Sequence, residues 1–256
     1  MKKKVIIAGG SGYLAASIVR RLQSSYELTL ADVINAPEEF SHLPSVRMDI
    51  TDPEQVIEAL DGNDAVVNTV ALVRERFDKP AALFSDVMVK GMWHIADGCV
   101  KSGVNRIVNI SSIIAMGWPS DFAQPHRVGD PPNFGESDLY YCISKHLGEQ
   151  VGYAYHQAHG LEVINIRPGV IDGDGLNAGP VVPEGPIENP WFVYVDPRDI
   201  AQAVELSLEA DQVKWGTFNI VAGRCDSLFD WTEARDQLGY QPEYNWPEIP
   251  EKGGSL

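Results

Sequence analysis

The sequence predicts an α/β protein built on a doubly wound parallel sheet. The first observation behind this expectation is that short apolar runs alternate with stretches whose apolar residues recur at helical spacing. The second is an almost unbroken β-branched run, Ala65 to Val70, which is typical of a strand covered on both faces. Alternation of strands and helices implies right-handed crossovers and therefore parallel pairing.

The chain opens with an apolar run, Lys4 to Ala8, then a glycine-rich turn, and then helical spacing that starts at Tyr13. A strand, a turn and a helix in this order form a phosphate cradle, because the helix N-terminus presents free N–H groups to an anion. Gly9 permits the tight turn, Gly12 lets the backbone approach a pyrophosphate, and the small Ala15 allows close packing of helix on strand. An ordinary glycine-rich turn is the alternative interpretation.

The second strand, Glu27 to Ala31, ends in Asp32, twenty residues after Gly12. An acid at this place can accept hydrogen bonds from both hydroxyls of an adenosine ribose, and it repels a 2′-phosphate. No arginine follows within Val33-Ile34-Asn35. The spacing therefore predicts NAD rather than NADP, and a solvated acid in a strand-end turn is the alternative.

The remaining regular elements follow in order, and two long segments rich in Pro interrupt them. We expect a short segment at Val46–Ile50, a helix that starts at Thr51-Asp52-Pro53-Glu54, a helix at Ala81–Lys101, a strand at Arg106–Ile110, a helix at Tyr140–His159, a strand at Val163–Ile166, a helix at Pro197–Glu209, a strand at Thr217–Val221 and a short helix at Thr232–Leu238. The first interruption, Gly117–Leu139, is too long for a simple connection, and such loops usually close over a site. The second is the Pro-rich sequence Pro180–Pro190.

Two clusters of residues could carry chemistry. Tyr141 and Lys145 lie at i and i+4 on one helical face, where the ammonium would stabilise the phenolate, lower the pKa of the tyrosine and make it a usable proton acceptor. Ser111 and Ser112 follow the Arg106–Ile110 strand at its carboxyl end, where ligands bind in open α/β sheets. The alternative for Tyr141 and Lys145 is an ordinary pair on the surface of a helix. The alternative for the two serines is that they are small polar residues that end a strand.

Together these residues resemble the extended short-chain dehydrogenases/reductases, in the NAD-dependent epimerase/dehydratase family. The resemblance spans nearly the whole chain. It rests on GGSGYLA after the first strand, Asp32, Asp49-Ile50, Val70-Ala71, Ser112 five residues before Gly117, Tyr141-x-x-x-Lys145, Arg167-Pro168 and the late LGYQP.

The resemblance implies a Rossmann-type NAD-binding domain over residues 1–168 and 194–223, and a small C-terminal substrate-binding lobe over 169–193 and 224–256. It implies that Tyr141 is the catalytic acid/base, that Lys145 binds the nicotinamide ribose, and that Ser112 rather than Ser111 positions the reacting oxygen. The implied contacts with NAD are Gly9, Ser11, Gly12, Tyr13, Leu14, Asp32, Asp49, Ile50, Val70, Ala71, Tyr141, Lys145 and Pro168. Two positions depart from the family pattern: Met88 replaces a common asparagine, and Asp172-Gly173 replaces Tyr-Gly.

The expected function is an NAD-dependent oxidoreductase acting on a small sugar-like alcohol or carbonyl, such as a sugar or sugar acid. A sugar epimerase or dehydratase with transient hydride transfer, and a non-catalytic dinucleotide-binding sensor, are the alternatives. Members of the family that bind nucleotide-sugars have a long C-terminal lobe, whereas here only 25 plus 33 residues lie outside the Rossmann elements. The resemblance therefore implies a small substrate. A guanidinium of Arg74 or Arg198 could bind a uronate carboxylate, whereas a structural ion pair is favoured for Arg167.

The amino-acid composition and net charge limit the kinds of partner and location that we expect. The net charge of −16 argues against nucleic acid, and no apolar stretch approaches bilayer length. The three scattered cysteines predict free thiols in a reducing compartment, so we expect a cytoplasmic protein with no metal site. The family resemblance also implies a homodimer that pairs the helices Ala81–Lys101 and Tyr140–His159 of the two subunits. Both helices carry apolar residues beyond one core-facing stripe, as an additional buried face requires: Phe84, Met88, Met92, Trp93, Tyr153 and Tyr155. A thoroughly buried helix of a monomer is the alternative interpretation.

Overall fold

The computed structural model describes residues 2–72, 79–117, 125–135, 138–173, 194–223 and 228–244. Within them, a seven-stranded sheet has the order β3-β2-β1-β4-β5-β6-β9, and all of its neighbouring strands are parallel. The predicted doubly wound parallel sheet is confirmed. The strands are β1 Lys4–Ala8, β2 Glu27–Asp32, β3 Ser45–Arg47, β4 Ala65–Asn68, β5 Arg106–Ile110, β6 Glu162–Pro168 and β9 Trp215–Ile220.

The order of the strands reverses between β1 and β4. The chain runs outward from β1 to β3 on one side and from β4 to β9 on the other. In open α/β sheets, ligands bind outside the carboxyl ends of the strands at such a switch point. The loops that follow β1 and β4 are therefore the natural place for a bound molecule.

Helices cover both faces of the sheet, as the continuous apolar strands require. Side chains of alternate strand residues belong to two separate cores: Ile7 packs with α1 and α6, whereas Ile6 packs with α2 and α4. The helices are α1 Tyr13–Leu22, α2 Pro53–Leu60, α3 Ala81–Phe84, α4 Gly91–Ser102, α5 Leu139–His159, α6 Pro197–Glu209 and α7 Thr232–Leu238. No helix in these described ranges is long and apolar enough to cross a bilayer.

Local capping explains several of the boundaries. The Asp52 carboxylate accepts hydrogen bonds from the backbone N–H groups of Glu54 and Gln55 at 3.0 and 3.3 Å, and Pro53 occupies the first turn of α2. Asp196 caps α6 in the same way, through the backbone N–H of Arg198 at 2.9 Å. These starts agree with the sequence prediction.

Besides shifts of a few residues at the ends of β4, β6 and β9, three features differ from expectation. The single helix expected over Ala81–Lys101 contains a π-helical segment, Ser85–Lys90, between α3 and α4. The Val46–Ile50 segment forms a strand only to Arg47, because Asp49 and Thr51 then turn the chain into α2. A second, two-stranded sheet pairs β7 Val170–Ile171 with β8 Tyr194–Val195.

The proposed substrate-binding lobe falls largely outside the described residues. Of its two segments, 169–193 and 224–256, only residues 169–173 and 228–244 are described. β7 of the first segment pairs with β8 at the start of the 194–223 segment. The division into two domains therefore remains a proposal.

Candidate active site

A cleft of about 700 Å³ opens at the carboxyl ends of the central strands. Its wall combines the turn after β1, the ends of β4, β5 and β6, and the first turns of α5. The lining residues are Ser11, Gly12, Tyr13, Leu14, Ala15, Thr69, Ala71, Leu72, Ile110, Ser111, Ser112, Ile113, Ile114, Tyr141, Lys145, Pro168, Gly169, Val170 and Ile171. Nine of the residues predicted from the sequence thus meet in one cleft: Ser11, Gly12, Tyr13, Leu14, Ala71, Ser112, Tyr141, Lys145 and Pro168.

The turn after β1 fits the phosphate cradle of a dinucleotide. Gly9 has a φ of +79°, and a Cβ on it would lie 2.6 Å from Thr69 Oγ1, so only glycine suits this position. Gly12 caps α1 without a side-chain hydrogen bond, which leaves the start of the helix accessible to an anion. The residues present therefore fit the pyrophosphate of NAD.

Asp32 lies in a second, smaller cavity of about 190 Å³, which Ser11 shares with the main cleft. Its carboxylate accepts hydrogen bonds from the backbone N–H groups of Ser11 at 3.0 Å and Val33 at 2.7 Å. Both bonds hold the acid at the end of β2, in the place expected for the adenosine ribose. This cavity is also lined by Arg47, which the motif analysis did not single out.

The catalytic candidates occupy the opposite end of the cleft. Tyr141 and Lys145 are both buried, and Lys145 Nζ lies 5.9 Å from the centre of the Tyr141 ring. Lys145 Nζ donates a 2.6 Å hydrogen bond to the carbonyl of Ile110. Burial lowers the pKa of the Lys145 ammonium to about 8, and the nearby Glu149 carboxylate opposes that effect.

The two serines after β5 have different partners. Ser111 Oγ donates a short hydrogen bond to Glu149 Oε1. Within the described residues, Ser112 Oγ accepts a single long bond, 3.4 Å from the N–H of Ile114. Because Glu149 engages the Ser111 hydroxyl, Ser112 is better placed to bind a reacting oxygen. This geometry favours the choice that the spacing to Gly117 suggested.

Glu149 also pairs with Arg167 in the interior. Arg167 Nε and Nη2 donate to the two carboxylate oxygens of Glu149 at 2.8 and 2.6 Å, and both side chains are at most 5% exposed. The expectation of a structural ion pair for Arg167 agrees with this bidentate contact. The sequence did not predict Glu149 as the partner, because the pair joins α5 to β6 and only tertiary packing brings these elements together.

Several predicted residues lie outside the main cleft. Gly9 and Val70 are next to it in the chain but do not line it. The Asp49 carboxylate accepts bonds from the N–H and hydroxyl of Thr51. Ile50 packs under Gly91.

The proposed substrate contacts and the two departures from the family pattern are placed as follows. Arg198 pairs with Asp196 at 2.7 Å and stacks 3.6 Å from the centre of the Tyr244 ring, away from the cleft lining. Arg74 lies outside the described residues. Met88 packs against Tyr141 in an apolar cluster, and Asp172 is buried beside β8.

In the described ranges, no three His, Cys, Asp or Glu side chains group as metal ligands.

Comparison with known proteins identifies relatives along nearly the whole chain. It is 26% identical over 264 residues to an L-arabinose 1-dehydrogenase (NAD(P)(+)) of Haloferax volcanii, covering 97% of this chain and 99% of that protein. It is also 26% identical over 247 residues to a uronate dehydrogenase of Pseudomonas putida, covering 94% of this chain and 84% of that protein.

A solved structure supports the same fold. A mutant of the uronate dehydrogenase from Agrobacterium tumefaciens, complexed with NAD, superposes with a TM-score of 0.78 at 20% identity. The match covers 96% of this chain and 86% of that one. At this identity the likeness shows the fold alone.

Membership of a family follows from the sequence itself. Residues 5–185, well over half of the chain, match the family described as the NAD dependent epimerase/dehydratase family. The resemblance drawn from the motifs is thereby confirmed, and with it the expected cofactor. This chain belongs to the NAD-dependent epimerase/dehydratase family and is an NAD-dependent enzyme of the oxidoreductase and epimerase type.

Proposed function

We propose that the protein oxidises a small sugar or sugar acid with NAD, using Ser112, Tyr141 and Lys145. The observation that carries this proposal is that one cleft contains both the glycine turn and these three side chains. The sugar dehydrogenases among its relatives support the reaction type.

The chemistry assigned to each side chain follows from its position. Tyr141, as phenolate, removes the proton from the substrate hydroxyl, while the Ser112 hydroxyl holds that oxygen in place. Bound NAD supplies the acceptor for the hydride. The burial of Tyr141 beside an ammonium keeps water from solvating both charges, which strengthens their interaction.

Lys145 serves both the base and the cofactor. A lysine ammonium has three N–H donors, and the carbonyl of Ile110 takes one of them. In the described part of the chain the other two have no partner, and we assign them to the hydroxyls of the nicotinamide ribose. The positive charge also lowers the pKa of Tyr141. The Ile110 carbonyl thus anchors the lysine in a chain that has Met88 where the family commonly has asparagine.

A sugar is the substrate class that the relatives favour. Proteins named for action on L-arabinose, uronates and glucose 6-phosphate align along most of this chain. Among the described residues, no arginine lines the main cleft. We therefore propose a small sugar or sugar acid and assign no residue to a carboxylate.

Formation of NADH tests this proposal. The purified protein is incubated with NAD and, separately, with glucuronate, galacturonate, arabinose, glucose, glucose 6-phosphate and UDP-glucose, with Tyr141→Phe as the matched control. We expect NADH from at least one free sugar or sugar acid and much slower formation in the variant. Turnover of UDP-glucose alone would overturn the small-substrate proposal. Conversion of a sugar without net NADH would favour the epimerase or dehydratase alternative, and NAD binding without any turnover would favour the sensor.

We also propose a homodimer that forms through α4 and α5. The large apolar side chains Tyr140, Ile143 and Leu147 are 36–49% exposed and recur at i, i+3 and i+7 on α5. Trp93 on α4 is 53% exposed. An apolar face of this kind is typical of a protein–protein interface.

The prediction is wrong for three of the residues expected at the dimer interface. Phe84, Met88 and Met92 are buried within the chain itself, so they cannot form a second apolar face. Light scattering at micromolar concentration should give the dimer mass, and Ile143→Glu with Leu147→Glu should give the monomer mass. A monomer mass for the unmodified protein would end the idea.

The cytoplasm is the proposed location, since the described cysteines, Cys99 and Cys142, are buried free thiols. Fractionation of cells should recover the protein with cytoplasmic markers. Recovery from an oxidising compartment would contradict it.

A further inference from the structure

Arg47 lies beside Asp32 although it belongs to none of the sequence motifs. β3 is the edge strand next to β2, and their parallel register places Arg47 opposite Asp32. The backbone N–H of Met48 donates to the carbonyl of Asp32 at 2.9 Å, which fixes this register. Both side chains line the small cavity at the adenosine end of the cleft.

The Arg47 guanidinium is held over the turn that follows β2. Its Nη1 donates a 2.6 Å hydrogen bond to the carbonyl of Val33, the residue next to Asp32. A guanidinium has five N–H donors, so four remain. In the described residues these four have no partner, and the side chain is exposed to solvent.

Arg47 differs from the other arginines of this acidic chain. The protein carries a net charge of −16, and each of the other seven described arginines lies within 4.0 Å of a carboxylate oxygen. These are Arg20, Arg21, Arg106, Arg127, Arg167, Arg198 and Arg235. Arg47 alone among the described arginines has no such ion pair. An unpaired guanidinium fixed beside a nucleotide site is suited to bind an anion.

The anion that fits this position is a phosphate on the adenosine ribose. Asp32 is placed to accept hydrogen bonds from the ribose hydroxyls, and a 2′-phosphate would project next to that carboxylate. Arginine binds phosphate oxygens through parallel N–H donors. We infer that Arg47 binds the 2′-phosphate of NADP, so that the protein accepts NADP as a second cofactor. NAD remains preferred because Asp32 repels the phosphate. This inference rests on the proposed function only in taking the cleft to be the cofactor site.

Direct binding tests the inference without any substrate. NAD and NADP are titrated into the wild type, Arg47→Gln and Arg235→Gln, and binding is followed by calorimetry. Glutamine removes the charge and keeps a polar side chain with N–H donors. Arg235→Gln is the matched control, since it removes the same charge from α7, a helix that does not line the cavity.

We expect Arg47→Gln to weaken NADP binding about tenfold while NAD binding changes less than twofold. The control should change neither value. The wild-type affinity for NADP should also fall with added salt more steeply than that of Arg47→Gln.

Three outcomes would overturn the inference: no NADP binding by the wild type, an equal weakening of both cofactors, or no change in either. Equal weakening would mean that Arg47 only anchors the turn or stacks on the adenine ring. Failure of the wild type to bind NAD would instead refute the proposed function.

Discussion

At the adenosine end of the cleft, Asp32 and Arg47 lie at the ends of the neighbouring strands β2 and β3. Asp32 is partly exposed and Arg47 is exposed, and backbone groups hold both side chains. At the catalytic end, Lys145 and Glu149 are buried on α5, and side chains from β6 and the end of β5 hold Glu149. Exposed charges interact weakly through water, whereas buried charges depend on their partners. Substitutions at the first end should therefore change mainly cofactor affinity, whereas substitutions at the second should change stability and turnover, and at Lys145 also NAD affinity.

The largest effect should come from breaking the buried pair. Glu149→Gln removes the charge that balances Arg167, and a buried charge without its partner costs about 3–5 kcal/mol of stability. Urea unfolding should show a much lower midpoint. Glu39→Gln is the matched control, because it breaks the Arg20–Glu39 pair, whose side chains are about half exposed. A similar loss in both variants would contradict the difference between buried and exposed charges on which the contrast between the two ends rests.

The variant Tyr141→Phe tests the proposed base at the catalytic end. Loss of the phenol should lower kcat by at least about a hundredfold, which is the usual scale of general acid–base catalysis. NAD affinity should stay nearly unchanged, whereas Lys145→Ala should reduce both turnover and NAD affinity. Near-normal turnover in Tyr141→Phe would point to another base, and Tyr140→Phe is the first variant to compare.

The adenosine end was the easier of the two to predict. Its turn and Asp32 lie within the first 32 residues, and their spacing alone indicates a dinucleotide site. β1, β5 and α6 have the predicted bounds, because an apolar run or a helical stripe defines each of them. Arg47 was missed because the sequence does not reveal the register of β3 on β2.

The catalytic end depends on contacts between distant parts of the chain. The sequence places Tyr141 and Lys145 on one helix, but the partners of Glu149 are Ser111, directly after β5, and Arg167 on β6. The π-helical turn before α4 has no signal in hydrophobic spacing, and neither does the two-residue pairing of β7 with β8. Such features follow from tertiary packing, which local propensity does not determine.

Asp32→Asn should weaken cofactor binding at the adenosine end and leave the catalytic end unchanged. The amide keeps the size of the side chain but loses the charge and one acceptor, so NAD should bind about tenfold more weakly. NADP should lose less, because the repulsion of its 2′-phosphate is removed. The thermal midpoint should change little, since the side chain is only partly buried. Equal losses for the two cofactors would mean that Asp32 does not contact the ribose.

The smallest expected effect is a pH dependence at the catalytic end. The pKa of Lys145 is lowered by burial to about 8, whereas the unfolded chain keeps the ordinary value near 10.5. Between these values the unfolded state binds more protons, so this residue makes the protein more stable as pH rises. The gain from pH 7 to pH 9 should be about 1 kcal/mol.

Other groups titrate in the same range, so the difference between two proteins has to be measured. Burial raises the pKa of the Cys99 thiol, which makes the protein less stable as pH rises toward 9 and above. That contribution is common to the wild type and Lys145→Met, and it cancels when their unfolding free energies are subtracted at each pH. The stability of the wild type relative to Lys145→Met should rise by about 1 kcal/mol between pH 7 and pH 9. If the difference in unfolding free energy does not change with pH, the lysine keeps an ordinary pKa. Burial of its charge would then not distinguish the catalytic end of the cleft from the adenosine end.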